Sequence, residues 1–398
     1  MKKSVIKNNI LKKLNFTKAE IKASNYYRLG YPQTNANKFG GKVLSSLLEL
    51  NPNNVGVMSQ KKMNLKGTKL IEADFVKQLS NFFNGKNVEG YITSGATESN
   101  LEALWIAREE MKIKSRKFCL LKTKLTHFSI EKAINILQIE NVFDIDFDEN
   151  YSLSLESLNS KVTELCSKGF DGFIVVATVG YTLTGSSDNV KEISDLLGSL
   201  KKVNTFLHVD AAFGGLVLPF SRKNFVFDFR LPKVNSIAVD MHKMGLAPYS
   251  AGVFLCRKGL LNYVSREVDY TGSVDATVLG SRSGASITAA WAVFNYIGQK
   301  GYAGVVKRCL SNKKYFLSKV KDIETKEIFN PLGMNVVSLK TKKRFPRFIE
   351  EKYRLDAVRF SNFNNVKEFD ECYLYRFYFM PHQDLKVIKD FFKDLKYV

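Results

Sequence analysis

The segment richest in chemical possibility is Ser236-Ile237-Ala238-Val239-Asp240-Met241-His242-Lys243-Met244-Gly245, where an apolar run ends in a polar turn carrying a lysine beside a histidine. Ligands of open α/β sheets sit at the carboxyl ends of strands. A lysine desolvated there has a lowered pKa, and its neutral amine is available for Schiff-base formation with a carbonyl. Many strand-end lysines simply reach into solvent, so Lys243 needs companions. The run Leu207-His208-Val209-Asp210-Ala211-Ala212-Phe213-Gly214-Gly215 supplies one, a second strand ending in a carboxylate, with Ala212 and the glycines leaving room for a flat ring. Asp210 could pair with a protonated ring nitrogen and keep that ring able to accept electrons. Capping a helix is its competing role.

A third piece is Tyr91-Ile92-Thr93-Ser94-Gly95-Ala96-Thr97-Glu98-Ser99-Asn100, which leads into the amphipathic stretch Leu101 to Met111. Backbone N–H groups at a helix N-terminus, together with the Ser94 and Thr97 hydroxyls, suit a phosphate monoester. Ordinary N-caps use the same residues. His127 follows the next strand, where its imidazole could stack on a ring or serve a structural purpose. The four histidines lack the HExxH or i,i+3/i,i+4 spacing of a metal centre, and no metal site is expected.

These residues need strands to hold them. Short β-branched runs at 89–93, 117–121, 172–177, 205–209 and 236–239 alternate with amphipathic stretches, the pattern of an α/β domain with a mostly parallel sheet. Ala251 to Cys256 reads as a further strand, antiparallel if its short connection is a tight return. The expected organisation is an N-terminal arm with loops over 1–70, a large α/β domain over 71–300 and a small α+β domain over 301–398. Within the last, strands are expected at 333–339 and 373–380, with a closing helix at 384–395. Ala285 to Gln299 and Gly301 to Val320 read as two helices.

Composition narrows the function classes. The 398 residues are 45% hydrophobic and 25% charged, enough for a large core plus a smaller lobe. No apolar run is long enough for a membrane span and the start is polar, so a cytoplasmic protein without a membrane partner is expected. Five scattered cysteines form no CxxC pair, which favours reduced thiols over a disulfide framework or zinc site. The net charge of +21 invites a nucleic-acid reading, but the lysines are diffuse and no arginine-rich tract or nucleic-acid motif accompanies them. The charge is read as background composition, with some attraction for an anionic cofactor or substrate.

Taken in order, phosphate turn, histidine, aspartate and lysine resemble the fold-type-I pyridoxal-phosphate enzymes, specifically the group II amino-acid decarboxylases, over roughly residues 25 to 395. Gly30-Tyr31-Pro32, Asn53-Asn54-Val55-Gly56 and the run Val268 to Arg282 are similar to the histidine and serine decarboxylase branch. The turn Asp240 to Pro248 is also similar to archaeal tyrosine/aspartate decarboxylases. The resemblance implies pyridoxal 5'-phosphate as cofactor and decarboxylation of an L-amino acid, of histidine or serine type first. It further implies that Ser94, Gly95, Ala96 and Thr97 hold the phosphate, that His127 stacks on the ring, that Asp210 pairs with the ring nitrogen and that Lys243 forms the Schiff base. His242 would sit near the phosphate or the substrate carboxylate. Gly280 and Ser281 are expected to reach the neighbouring subunit's phosphate, giving a homodimer with shared sites. Tyr270 is the expected proton donor to Cα, with His127 second.

Three positions depart from the family pattern. Ala96 stands where glycine is usual, Tyr181 where Gly-Thr-Thr is common, and Ala285 where the histidine/serine branch often has histidine. Tyr181 is therefore expected to alter contacts to cofactor or substrate. The competing readings are a carbon–carbon lyase of the phosphosphingolipid type, an aldehyde-forming oxidative decarboxylase and a basic nucleic-acid-binding protein on a relic fold.

Overall fold

The structure is a computed structural model that describes residues 3–57, 66–269, 273–359 and 372–396. Two compact units are present: residues 36–306 with 331–334, and residues 1–35 with 307–330 and 335–398.

The larger unit is built on a seven-stranded sheet. Its strands are β1 (Val88–Thr93), β2 (Phe118–Lys122), β3 (Val142–Asp144), β4 (Gly172–Thr178), β5 (Asn204–Asp210), β6 (Val234–Asp240) and β7 (Gly252–Arg257), in the spatial order β1-β7-β6-β5-β4-β2-β3. The pairs from β3 to β6 are parallel, whereas β7 runs antiparallel to both β6 and β1. Every residue of β4 is buried, as its unbroken β-branched sequence requires of a strand covered on both faces. The expected strands and the antiparallel β7 are thus found within one or two residues of where the sequence places them.

Helices fill the connections. Among them are α1 (Lys3–Tyr26), α2 (Lys38–Leu48), α3 (Thr68–Phe82), α4 (Ala96–Lys114) and α5 (Phe128–Leu137). Ala103, Leu104, Ala107 and Met111 of α4 and Ile130, Ala133 and Leu137 of α5 form one apolar cluster with Leu120, Ile174, Val176, Phe206 and Phe254 of the sheet. Each fully buried side chain of leucine size contributes about 1.5–3 kcal/mol, so this cluster fixes the start of α4 against the strand ends. Residues 284–319 form a helical run with a break at Gly298, whose φ of 59° and ψ of 174° are non-helical; this is the division expected between two helices.

The smaller unit carries an antiparallel sheet of β8 (Glu327–Phe329), β9 (Val336–Thr341), β10 (Val358–Arg359) and β11 (Tyr373–Tyr378), in the order β8-β9-β11-β10. Phe316, Phe345, Phe377, Phe391 and Phe392 pack its interior. The segment expected as a single arm over 1–70 divides at Asn35, because Leu29 donates to Tyr353 O at 2.9 Å and accepts from Tyr378 N at 2.7 Å. Gly30 follows at a close approach: a Cβ there would lie 2.0 Å from Arg354 O, so only glycine fits. All five cysteines are free, and only Cys166 is exposed. No helix of the described residues is long and apolar enough to cross a membrane.

Candidate active site

Lys243 lies three residues beyond β6, and its Nζ is 2.8 Å from Asp240 Oδ2. Asp240 is the last residue of β6 and is 4% exposed. Its other oxygen accepts the Ala96 N–H at 2.8 Å and lies 3.5 Å from His242 Nε2. Burial works to raise the Asp240 carboxyl, but Lys243, His242 and the Ala96 N–H hold it below the ordinary carboxylate value. His242 is fixed through Nδ1, 2.9 Å from Ala251 O, and Tyr249 stacks on its ring at 4.1 Å between centroids. Burial shifts His242 below the ordinary imidazole value.

The turn after β1 reaches the same place. Ser94 N–H donates to Glu98 Oε2 at 2.7 Å, and the Glu98 and Ser99 N–H groups close the first turn of α4 onto Gly95 O. The Ala96 N–H, expected among the anion donors, is instead committed to Asp240. What this turn offers an anion is the hydroxyls of exposed Ser94 and Thr97, with the N–H groups of Gly95 and Thr97. Gly95 sits against the start of β7: a Cβ on Gly252 would lie 2.5 Å from Gly95 Cα.

Asp210 ends β5, beside β6. Its Oδ2 accepts from Asn100 Nδ2 at 2.9 Å and its Oδ1 accepts from Ala212 N at 3.1 Å. Asn100 Oδ1 faces His208 Nε2 at 2.9 Å, and His208 Nδ1 meets Ser236 Oγ at 2.8 Å. Burial pushes His208 down to about 4, so it stays neutral and presents one donor and one acceptor to this chain. Ala212, beside Asp210, is half-buried. His127 caps α5, its Nδ1 accepting from Ser129 N, and Ser129 Oγ accepts from Asn100 Nδ2 at 2.8 Å. Burial holds His127 below the ordinary imidazole value against the opposing charge of Asp210.

The strand ends therefore bring together Lys243, His242, Asp210, Ala212, His127 and the Ser94–Thr97 turn. Gly280 and Ser281 are exposed, with Ser281 Oγ accepting from Asn53 Nδ2 at 3.0 Å, and neither hydrogen-bonds to the Lys243 cluster. Tyr270 lies outside the described residues. Tyr181 does not face the site: it is 1% exposed, with its hydroxyl donating to Asp188 Oδ2 at 2.9 Å and accepting from Thr123 Oγ1 at 3.0 Å. What Tyr181 itself supplies at this departure from the family pattern is a core hydrogen bond. Asp240, Asn100 and His208 are the functional residues that sequence reading passed over. Asn100 carried a signal, being a polar residue one turn into a helix that packs on strands.

A mostly parallel sheet whose carboxyl ends gather a lysine, two aspartates, two histidines and a small-residue turn defines the class of pyridoxal-phosphate enzymes with an α/β large domain. Residues 69–342 match the pyridoxal-dependent decarboxylase conserved domain, and the chain belongs to that family. It is a pyridoxal-phosphate-dependent amino-acid decarboxylase. It is 32% identical over 370 residues to the L-tyrosine/L-aspartate decarboxylase of Methanocaldococcus jannaschii, covering 89% of this chain and 87% of that one. It is 30% identical over 359 residues to the tryptophan decarboxylase of Clostridium sporogenes, covering 87% and 83%. The L-methionine decarboxylase of Streptomyces sp.590 superposes with a TM-score of 0.85 over 98% of this chain and 94% of that one, and at 18% identity it shares the fold. The similarity to archaeal tyrosine/aspartate decarboxylases is thus found along most of the chain, whereas these relatives give no support to a histidine or serine branch.

Proposed function

We propose that this chain decarboxylates L-aspartate or L-tyrosine, with Lys243 as the residue that carries the cofactor. The observation behind the assignment of Lys243 is its 2.8 Å ion pair with buried Asp240 at the end of β6, one strand away from Asp210. The substrates are those named for the Methanocaldococcus relative. A net charge of +21 favours the approach of an anionic amino acid.

The residues present fit the cofactor. Ser94 and Thr97 would hold its phosphate, with His242 and Gly95 at the same end. Ala212 leaves space for its ring, which His127 would flank. Lys243 would bond to it through its amine once that amine has lost its proton, and Asp240 stands ready to balance the charged form. When bound, pyridoxal phosphate supplies the sink for the electron pair released as carbon dioxide leaves Cα.

The protein's own groups do the rest. Asp210, held by Asn100 and the Ala212 N–H, stands where its carboxylate would pair with the protonated ring nitrogen. His127, kept neutral by burial, can flank a cationic ring without repelling it. Tyr270 is the proton donor to Cα, and His127, the second candidate, could donate only after taking up a proton. A homodimer in which Gly280 and Ser281 serve the neighbouring site accounts for their exposure.

Two measurements test this reading. Lys243→Ala should fold but lose the visible absorption of bound cofactor; retention of that band removes Lys243 from the role. Carbon dioxide release from a panel of L-amino acids should be fastest with aspartate or tyrosine, and a preference for histidine or serine would overturn the substrate assignment.

A further inference from the structure

Behind the Ser94–Thr97 turn lies a buried polar system that the chemistry above does not use. The hydroxyl of Tyr91, on β1, donates to Glu102 Oε2 on α4 at 2.9 Å and accepts the Val278 N–H at 3.3 Å. Tyr91 and Glu102 are both 0% exposed. The Arg282 guanidinium covers the Tyr91 ring at 4.8 Å, donates to Ile92 O and Gly56 O at 2.9 and 2.6 Å, and pairs with buried Glu72. Asn53 and Asn54 pair with Ser283 and Arg282. Thr277 N and Oγ1 both donate to Asp275 Oδ1, folding the segment back on itself. The stretch 275–284, which carries Gly280 and Ser281, is thus attached to the sheet at Arg282 near one end and at the Tyr91 hydroxyl near the other.

We propose that Tyr91 and Glu102 are positioning residues, forming a latch that sets the 275–284 segment and holds it only while Glu102 is uncharged. The inference rests on the reading of Gly280 and Ser281 as cofactor-side groups.

The geometry explains why charge matters. The groups facing Glu102 are Tyr91 from β1, Glu98 from its own helix, Asp275 from the segment and Cys256 from β7. None is a cation, and among the described residues Glu102 has no ion-pair partner. Oε1 of Glu102 and Oε1 of Glu98 are both buried without a hydrogen bond. Burial, with Glu98 and Asp275 adding to it, pushes the Glu102 carboxyl up to about 8, against the Tyr91 hydroxyl and the Val278 N–H, which both favour its charged form. Once ionised, Glu102 repels Asp275. Strand β1 and helix α4 are core elements, so the segment is the part able to yield and admit water.

The test is amide hydrogen exchange at Val278 in the full-length, cofactor-loaded enzyme, alongside the cofactor dissociation constant, from about pH 6 to about pH 10. Wild type should lose Val278 protection and cofactor affinity together as Glu102 ionises. Tyr91→Phe, which removes the acceptor of the Val278 N–H, should lower Val278 protection about three- to tenfold at neutral pH and little further once Glu102 has ionised. Glu102→Gln should keep the neutral-pH protection and abolish its alkaline loss. Wild-type exchange in Tyr91→Phe, or an unaltered alkaline loss in Glu102→Gln, overturns the latch. A drop in protection with no change in cofactor affinity in either variant overturns its role toward the cofactor. Lys243→Ala, which tests the assignment of the cofactor lysine, leaves Val278 exchange as an independent readout, so the two readings fail separately.

Discussion

The Asp210 carboxylate and the Asn100 amide are 2.9 Å apart, joining the end of β5 to the first turns of α4. Asn100 also reaches His208 and Ser129, so one side chain sets the position of the carboxylate and of the residue that His127 caps. Asn100→Leu should therefore act through Asp210 without touching substrate. A hydrogen bond to a charged group contributes about 1.5–3 kcal/mol, which corresponds to a fall of roughly ten- to 150-fold. Steady-state kcat/KM, with circular dichroism to confirm the fold, measures it; less than a twofold change would remove Asn100 from this role.

Asp240→Asn should destabilise the chain by about 2 kcal/mol near neutral pH, because Lys243 loses its charged acceptor. The folded-state pKa of Asp240 lies below its unfolded value. Its contribution is therefore present above the unfolded pKa and lost as pH falls through the folded one. Denaturant unfolding of both proteins should show the difference shrinking as the solution is acidified below the ordinary carboxylate range; a difference that persists there would contradict the ion-pair origin.

Asp188 behaves in the opposite sense. It is fully buried, and although it accepts from Thr178 N, Leu153 N and Tyr181, burial raises its carboxyl from 3.8 to about 7. Stability from this group is complete below the unfolded pKa and is lost as pH rises through about 7. Asp188→Asn should flatten the fall of unfolding free energy over that interval, whatever its effect at a single pH. An unchanged slope would place the titration elsewhere.

Tyr181→Phe removes the hydroxyl between Thr123 and Asp188 and should cost about 1–2 kcal/mol while leaving the relative kcat/KM for different amino acids as in wild type. A changed substrate order would return Tyr181 to the active site.

Gly252→Ala should weaken cofactor binding. The added Cβ would stand 2.5 Å from Gly95 Cα and must push the Ser94–Thr97 turn away from Asp240. Overpacking of this kind costs about 1–3 kcal/mol, or roughly five- to 150-fold in affinity. Titrating the apo-protein with pyridoxal phosphate gives the constant, and a wild-type value would show that the turn can move without loss.

Much of the fold was legible because buried strands announce themselves. Gly172 to Ala177 could be little else, and the glycine near 298–301 marked the break in the last long helical run. Lys243, Asp210 and the Ser94 turn were legible because each ends a strand or begins a helix. Asp240 was not, although it stood within the same run: its importance depends on Ala96 lying across β7, a proximity that no local spacing encodes. Ala96 read as an anion donor for the same reason. That Tyr181 lies in the core was not legible either, because it follows from the turn at Gly180, with φ of 94°. The division at Asn35 required knowing that Leu29 hydrogen-bonds to strand and helix residues more than 300 positions away.

The reversed strand β7 has a bearing on how the Ser94–Thr97 turn is seated. Thr93, Gly252 and Asp240 are register partners across β1, β7 and β6, so two ligand-side ends pointing the same way are held one intervening strand apart. At about 4.8 Å per strand spacing their separation is about 10 Å, with a glycine at the midpoint contributing no side chain. Gly95 rests on that glycine and the Ala96 N–H reaches Asp240 across the interval, so the turn fills a gap whose width is dictated by backbone repeat distances. The distance from the turn to Asp240 is therefore a property of the sheet backbone rather than of the side chains around it.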